Sequence, residues 1–321
     1  MKFISLNFRY LFFLALLVSP FSFAQDYAKV DSKVKTYPSV FSSTGQLAQQ
    51  IVKDFSRPDE RARALFTWMA HNIKYDTSPT AAGKRDTYIS YKTEAERRAK
   101  IAAVENELAN RTLRLRKGVC NGYAMLYTIT ARKMGLESEV VHGTAKILPS
   151  DIGKMPGKIN HAWNAVKING QWKLIDVTWG AGGISADRLT YKFDEKYFFT
   201  SPDVFFLNHY PDNKNWLLTV KSESEFARLP LYYNLDYELM SPLHGTISTG
   251  TSKRTIFRIK GIKRTDEVMY QYTSGAFANK VLPVLKNEVG EFGLVLGANA
   301  KGTLTIFVNK QPVAAYKLVN Q

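Results

Sequence analysis

The sequence predicts an α+β protein: a central helix bearing Cys120 packs on an antiparallel sheet, and a small β-sandwich follows. Three observations carry this prediction. Cys120 is the only cysteine in 321 residues. It opens a stretch over 121–134 with Ala124, Met125, Leu126, Ile129, Ala131 and Met134 spread all round, closed by Gly135, and a helix apolar on most sides is a central one. Two β-rich runs, 161–168 and 171–178, flank Asn169-Gly170, the strongest short signal for a type I′ hairpin. From about 217 the texture changes to short β-like runs at 255–260, 267–273, 281–285, 292–296, 303–308 and 313–318, the pattern of a sandwich.

At the amino end, Lys2 and Arg9 form a basic region, residues 11–18 are continuously apolar, and Ser22-Phe23-Ala24 supplies small residues for cleavage. Residues 1–24 therefore read as a signal peptide. The apolar run is too short for a stable anchor, so no transmembrane anchor is expected after cleavage. The expected location is outside the cytoplasm, periplasmic or extracellular. A single cysteine excludes an internal disulfide and, with scattered histidines, gives no metal-ligand spacing. An exported protein meets an oxidising compartment, where a spare exposed thiol is a liability, so this one is expected to be used or buried. The net charge of +16 favours anionic partners. The basic residues are dispersed, however, and the densest groups (Arg97, Arg98, Lys100 and Arg111, Arg114, Arg116, Lys117) sit in no nucleic-acid motif. They read as a solvated face, and no specific nucleic-acid binding is expected.

Before the thiol, Leu47, Ile51, Val52 and Phe55 repeat at helical spacing after Ser43 or Thr44 as a cap. A second helix should be capped by Ser56, with Pro58 in its first turn and Asp59 at the third position of a capping box. Its buried stripe is Ala62, Leu65, Phe66, Met69 and Ile73, bordered by Trp68. Residues 80–117 are polar, and 94–108 reads as a surface helix with Ala95, Ile101, Ala102, Val104 and Leu108 inward. After the thiol helix, 138–147 is β-like and 148–160 a loop. Gly180, Gly182 and Gly183 read as a flexible exit from the hairpin.

The Asn169-Gly170 turn fixes a register. Ile168 pairs with Gln171, and the continued ladder puts Trp163 opposite Asp176 and His161 opposite Thr178, all on one face. His161 and Asp176 become diagonal neighbours about 7–8 Å apart at the backbone, within reach of an imidazole and a carboxylate. A thiol nucleophile needs such a base, and the base needs a partner that fixes its tautomer. A helix start further favours the thiolate of Cys120. The Cys120 N–H is a candidate oxyanion donor and Tyr75 a second. His71, His142, His209 and His244 lack such company and read as structural.

These residues resemble the transglutaminase-like (papain-like cysteine protease) superfamily. Gly118-Val119-Cys120-Asn121-Gly122-Tyr123-Ala124 resembles its nucleophile motif, Asn160-His161-Ala162-Trp163-Asn164 its histidine motif, and Leu174-Ile175-Asp176-Val177-Thr178-Trp179-Gly180 its aspartate motif. Ala64-Leu65-Phe66-Thr67-Trp68 and Asn72-Ile73-Lys74-Tyr75-Asp76 are similar to the segment before its core. Tyr197-Phe198-Phe199-Thr200-Ser201-Pro202 and His209-Tyr210-Pro211-Asp212-Asn213-Lys214-Asn215-Trp216 resemble the extension of the kyphoscoliosis-peptidase type, and the likeness runs over about residues 45–218.

The resemblance implies a papain/transglutaminase-like core over 25–216 and a β-sandwich (Ig-like) domain over 217–321. It makes Cys120 the nucleophile, His161 the base and Asp176 its orienter. Tyr75, Trp163 and Trp179 are oxyanion or substrate-binding candidates, and no cofactor or metal is implied. The expected function is thiol acyl transfer on amide bonds of a protein or peptide substrate of the cell envelope. Hydrolysis, as by a peptidase or amidase, is preferred because nothing marks an amine-acceptor site. Cross-linking, as by a transglutaminase, stays open because the chemistry is shared up to deacylation. The alternative is a catalytically silent binding or scaffold module of the envelope.

Overall fold

The computed structural model describes residues 27–78, 90–185, 188–250, 254–273, 275, 278–297 and 300–320. The signal-peptide reading of residues 1–24 and the polar stretch 79–89 lie outside them.

Helix Thr44–Asp54 starts at Ser43, whose hydroxyl accepts from the Gln46 N–H at 3.2 Å, and it buries Leu47 and Ile51 completely. Helix Pro58–Asn72 buries the expected stripe together with Trp68. Its start is a correction: Arg57, not Ser56, is the capping residue, and no side chain caps it. Asp59 is taken instead by the Arg57 guanidinium at 3.2 and 2.8 Å. A two-pronged charged donor outcompetes a single backbone N–H for that carboxylate.

The surface helix runs over Glu94–Leu115, longer than expected. Ala95, Ala102 and Val104, expected inward, are exposed; only Ala109, Thr112 and Leu113 are buried. Its first turns rest on local ion pairs, Glu94–Arg97 and Glu96–Lys100, and not on a core. The thiol helix Cys120–Lys133 is buried from Gly122 to Ala131 and gives way to Gly135 at φ +80°.

The thiol helix packs on a five-stranded antiparallel sheet in the order Phe198–Thr200, Gln171–Ile175, His161–Ile168, Ser138–Ala145, His209–Pro211. Asn169 and Gly170 both have positive φ (50° and 81°), as a type I′ turn requires. The register holds from Ile168↔Gln171 to Asn164↔Ile175 and then breaks. Asp176 leaves the ladder to cap a short helix, Val177–Gly180, by accepting the Trp179 N–H at 3.0 Å. The expected pairs Trp163–Asp176 and His161–Thr178 therefore do not form. Aspartate's capacity to cap a helix won over the β-like run around it. Gly180 is no loose exit either: a Cβ there would lie 2.4 Å from Phe66 Cζ.

The C-terminal region is a sandwich. One sheet runs Leu231–Tyr232, Gln311–Asn320, Gly302–Val308, Val268–Tyr272, Asn279–Val281, with Thr246–Thr249 parallel to Gln311–Asn320. The other runs Glu238–Ser241, Arg254–Lys260, Val289–Val295, Val284–Lys286. Phe257 stacks on Phe292 within its own sheet and meets Tyr316 of the facing sheet edge-on at 5.5 Å. Pro283 splits the expected 281–285 strand in two, since it has no N–H for a ladder. Between sandwich and thiol region, helix Glu223–Arg228 packs Phe226 on Phe206 and Tyr210. The buried Lys146 ammonium donates to the carbonyls of Phe226 and Leu229 there.

Candidate active site

Cys120 is the first residue of its helix and is partly accessible. The glycines around it have a packing reason. A Cβ on Gly122 would lie 2.8 Å from Thr112 Oγ1, and one on Gly118 would lie 3.0 Å from Thr112 Cγ2. Two absent side chains thus let the surface helix press against the thiol turn. Tyr123 donates its hydroxyl to the Ile73 carbonyl at 2.6 Å, fixing the helix start beside strand Lys74–Tyr75. That strand pairs parallel with Lys117–Gly118, which sets Tyr75 opposite Gly118. The Tyr75 phenol is pushed up by burial first, then by the charges of Cys120 and Asp176, both of which it faces.

His161 begins the central strand, and Asn164 locks that strand to the thiol helix. Its Nδ2 donates to the Ala124 carbonyl and to Thr128 Oγ1, each at 2.9 Å. This latch brings His161 against Cys120, whose sulfur takes hydrogen bonds from the His161 ring and from the Ala162 N–H. His161 Nε2 lies 2.7 Å from Asp176 Oδ2, which leaves Nδ1 for the thiol. Asp176 is fully buried and His161 nearly so. The predicted Cys120, His161 and Asp176 are therefore brought together in one hydrogen-bonded line.

The electrostatics of that line are consistent from end to end. Burial opposes ionisation of the Cys120 thiol, but the His161 hydrogen bond and charge and the Ala162 N–H bring its pKa down. Burial likewise disfavours a charged His161, yet the Asp176 carboxylate and the thiolate raise its pKa to about 10. Asp176 is held well below the carboxylate range against burial by His161 and by a second imidazole. The arrangement favours thiolate, imidazolium and carboxylate together.

The second imidazole is His209, read from sequence as structural. Its Nε2 lies 3.1 Å from the same Asp176 Oδ2. The signal was present, since His209-Tyr210-Pro211 stands out in the extension, but nothing local ties that strand to Asp176. Asn164 lies in the histidine motif, and its role as a latch depends on the long-range contact with the thiol helix. The ligand atoms of His161, Asp176 and His209 lie within 4.8 Å of one another, a spacing a metal ion could bridge. Hydrogen bonds account for each of them, so the group reads as proton-bonded. Trp163, a substrate-binding candidate, is 1% exposed and forms a buried wall against Phe205 and His209, out of a substrate's reach. Trp179 is half-buried over the His161–Asp176 pair, 5.4 Å from the His161 ring.

Residues 45–177 match the family model of the transglutaminase-like superfamily. The chain is 31% identical over 227 residues to kyphoscoliosis peptidase of Mus musculus, covering 68% of this chain and 32% of that protein. It is 32% identical over 186 residues to kyphoscoliosis peptidase of Homo sapiens, covering 57% of this chain and 25% of that protein. It thus spans about a third or less of the length of these relatives. A crystal structure of a TGase is 20% identical, covers 55% of this chain and 42% of that one, and superposes with a TM-score of 0.29. By the family model and the two curated relatives, the chain belongs to the transglutaminase-like superfamily, in the kyphoscoliosis-peptidase-type subgroup.

Proposed function

We propose that this chain is an exported thiol acyl-transfer enzyme, with a catalytic region over 25–216 and a β-sandwich over 217–321. The observation that carries the proposal is the line from thiol to imidazole to buried carboxylate. The Cys120 thiolate adds to an amide carbonyl, and negative charge moves to the carbonyl oxygen. The Cys120 N–H and the Tyr75 hydroxyl are the proposed donors to that oxyanion. As the tetrahedral centre collapses, protonated His161 gives its Nδ1 proton to the leaving amine, which departs and leaves a thioester on Cys120. Neutral His161 then takes a proton from water as it attacks the thioester, and the acid product leaves as the thiolate returns. Asp176 stays ionised throughout and holds the ring. Trp179 covers the His161–Asp176 pair and so shields that charged bond from water.

Hydrolysis of a protein or peptide is the preferred outcome, supported by the peptidase names of the two relatives. Export rests on the character of residues 1–24, and the net charge of +16 favours an anionic setting such as the envelope. Among the described residues no helix is long and apolar enough to cross a membrane. The test is to incubate the protein with envelope extract and with a dansylated primary amine, then analyse Cys120 and its products by mass spectrometry. A thioester on Cys120 that resolves to free acid supports the hydrolase, and amine incorporation moves the reading to cross-linking. No adduct, together with an unperturbed thiol, would favour the silent scaffold.

A further inference from the structure

Asp176 is served by two histidines, and only one of them touches the thiol. His209 sits on the edge strand His209–Pro211, opposite Ala145, beyond the 45–177 family match. It is 2% exposed in a cage of Phe205, Trp179 and Trp163, with ring centroids at 4.0, 4.4 and 5.1 Å. The titratable groups facing it are Asp176 and His161; the rest of the cage is uncharged. Its two ring nitrogens each meet an acceptor: Nδ1 lies 3.2 Å from the Phe205 carbonyl and Nε2 lies 3.1 Å from Asp176 Oδ2.

A neutral imidazole carries one N–H and so satisfies only one of these acceptors. The carboxylate is the stronger one, which assigns the proton to Nε2. Burial keeps the ring neutral by lowering its pKa, against the opposing pull of Asp176. Asp176 then receives three donors: the Trp179 N–H on Oδ1, and His161 and His209 on Oδ2. Without the third, Oδ2 would keep the His161 bond alone, and the Trp179 N–H on Oδ1 would be the one other anchor of the carboxylate.

We propose that His209 is a positioning residue for the thiol site. As the neutral Nε2–H tautomer it donates to Asp176, keeping that carboxylate ionised and aimed at His161, and so sustains the Cys120 thiolate. This rests on the thiol chemistry proposed above. His209 itself touches neither substrate nor sulfur.

Two measurements on the full chain test it. The first is the pH profile of Cys120 carboxamidomethylation by iodoacetamide in wild type, His209→Phe and His209→Gln. Phenylalanine keeps the volume and stacking without a donor; the glutamine amide restores a donor near the Nε2 position. The His209→Phe thiol should titrate about one unit higher, reacting about tenfold more slowly below its midpoint, with His209→Gln returning to within about threefold of wild type. Three superimposable profiles with a low wild-type midpoint would overturn the role of His209 alone. An ordinary thiol midpoint in wild type would instead overturn the enzyme reading.

The second measurement does not depend on a variant that folds. Two-bond ¹H–¹⁵N correlation spectra of the ¹⁵N-labelled wild type report the tautomer of each histidine. The Nε2-protonated neutral form is expected for His209 at pH 7; the Nδ1-protonated form would place its proton on the Phe205 carbonyl and overturn the proposal.

Discussion

The thiol region and the sandwich bury different things. Asp59, Arg63, Lys146, His161, Asp176 and His209 are all buried in the first, whereas beyond residue 230 Thr249 is the single buried polar side chain among the described residues. The sandwich core is Phe257, Ile259, Phe292, Leu294, Ile306, Tyr316 and their neighbours. Buried charge lowers stability unless it is paired, so its confinement to one region needs a reason. Part of the reason is architectural: Arg63 pairs with Asp31 at 2.6 Å and with Glu195 at 2.9 Å, fastening helix Ala28–Val34 to the core. The rest is accounted for by the proposed chemistry, in which the His161–Asp176–His209 cluster serves the Cys120 sulfur.

That contrast can be broken in graded steps. Asp176→Asn keeps the shape and removes the charge, and acyl-transfer turnover on a trapped substrate should fall on the order of 10⁴-fold, as amide replacement does in serine triads. A loss below tenfold would mean the buried charge is structural. Phe257→Ala should cost about 3–5 kcal/mol in urea unfolding of the sandwich. The Cys120 alkylation midpoint should not move with it, and a shift would mean the two regions are not separable. Gly122→Ala sets a Cβ against Thr112 Oγ1 and should cost about 1–3 kcal/mol by overpacking, with the thiol midpoint rising because the helix start is displaced. Thr112→Ala in the same chain should recover most of both. Ser43→Ala, which removes a single helix cap, should cost about 1 kcal/mol in thermal melts and leave the thiol midpoint unchanged.

Much of this was legible in local sequence. The all-round apolar helix after Cys120, the Asn169-Gly170 turn and the hairpin register to Asn164↔Ile175 follow from short-range pattern alone. Cys120, His161 and Asp176 lie together, but not through the strand ladder that the sequence predicts. Period-two alternation carried Asp176 along the strand, whereas the residue turns out of the ladder to cap Val177–Gly180 and meets His161 from there. A β-rich run and an N-cap compete at one aspartate, and periodicity cannot say which prevails. His209 was out of reach because its partner is set by the pairing of His209–Pro211 with Ser138–Ala145, a long-range contact between strands with no turn linking them. The inward face assigned to 94–108 failed for a different reason: periodicity marks an apolar stripe without saying whether a core lies beneath it. Strands of two to four residues, such as Leu231–Tyr232 and Thr246–Thr249, are too short to show alternation.

The pH dependence follows from the same line of groups. The Cys120 thiol is lowered, so thiolate is present below the ordinary thiol range. His161 is raised to about 10, so it stays protonated until the pH passes that value. Acyl transfer needs both forms, so it should rise through the lowered thiol pKa and fall through about 10. The most direct test of the central claim is the rate of Cys120 alkylation by iodoacetamide against pH in wild type and His161→Ala. The wild type should reach its plateau well below the unperturbed thiol value of about 8.5, and His161→Ala should return to that value. Two superimposable curves, both with midpoints near about 8.5, would contradict it.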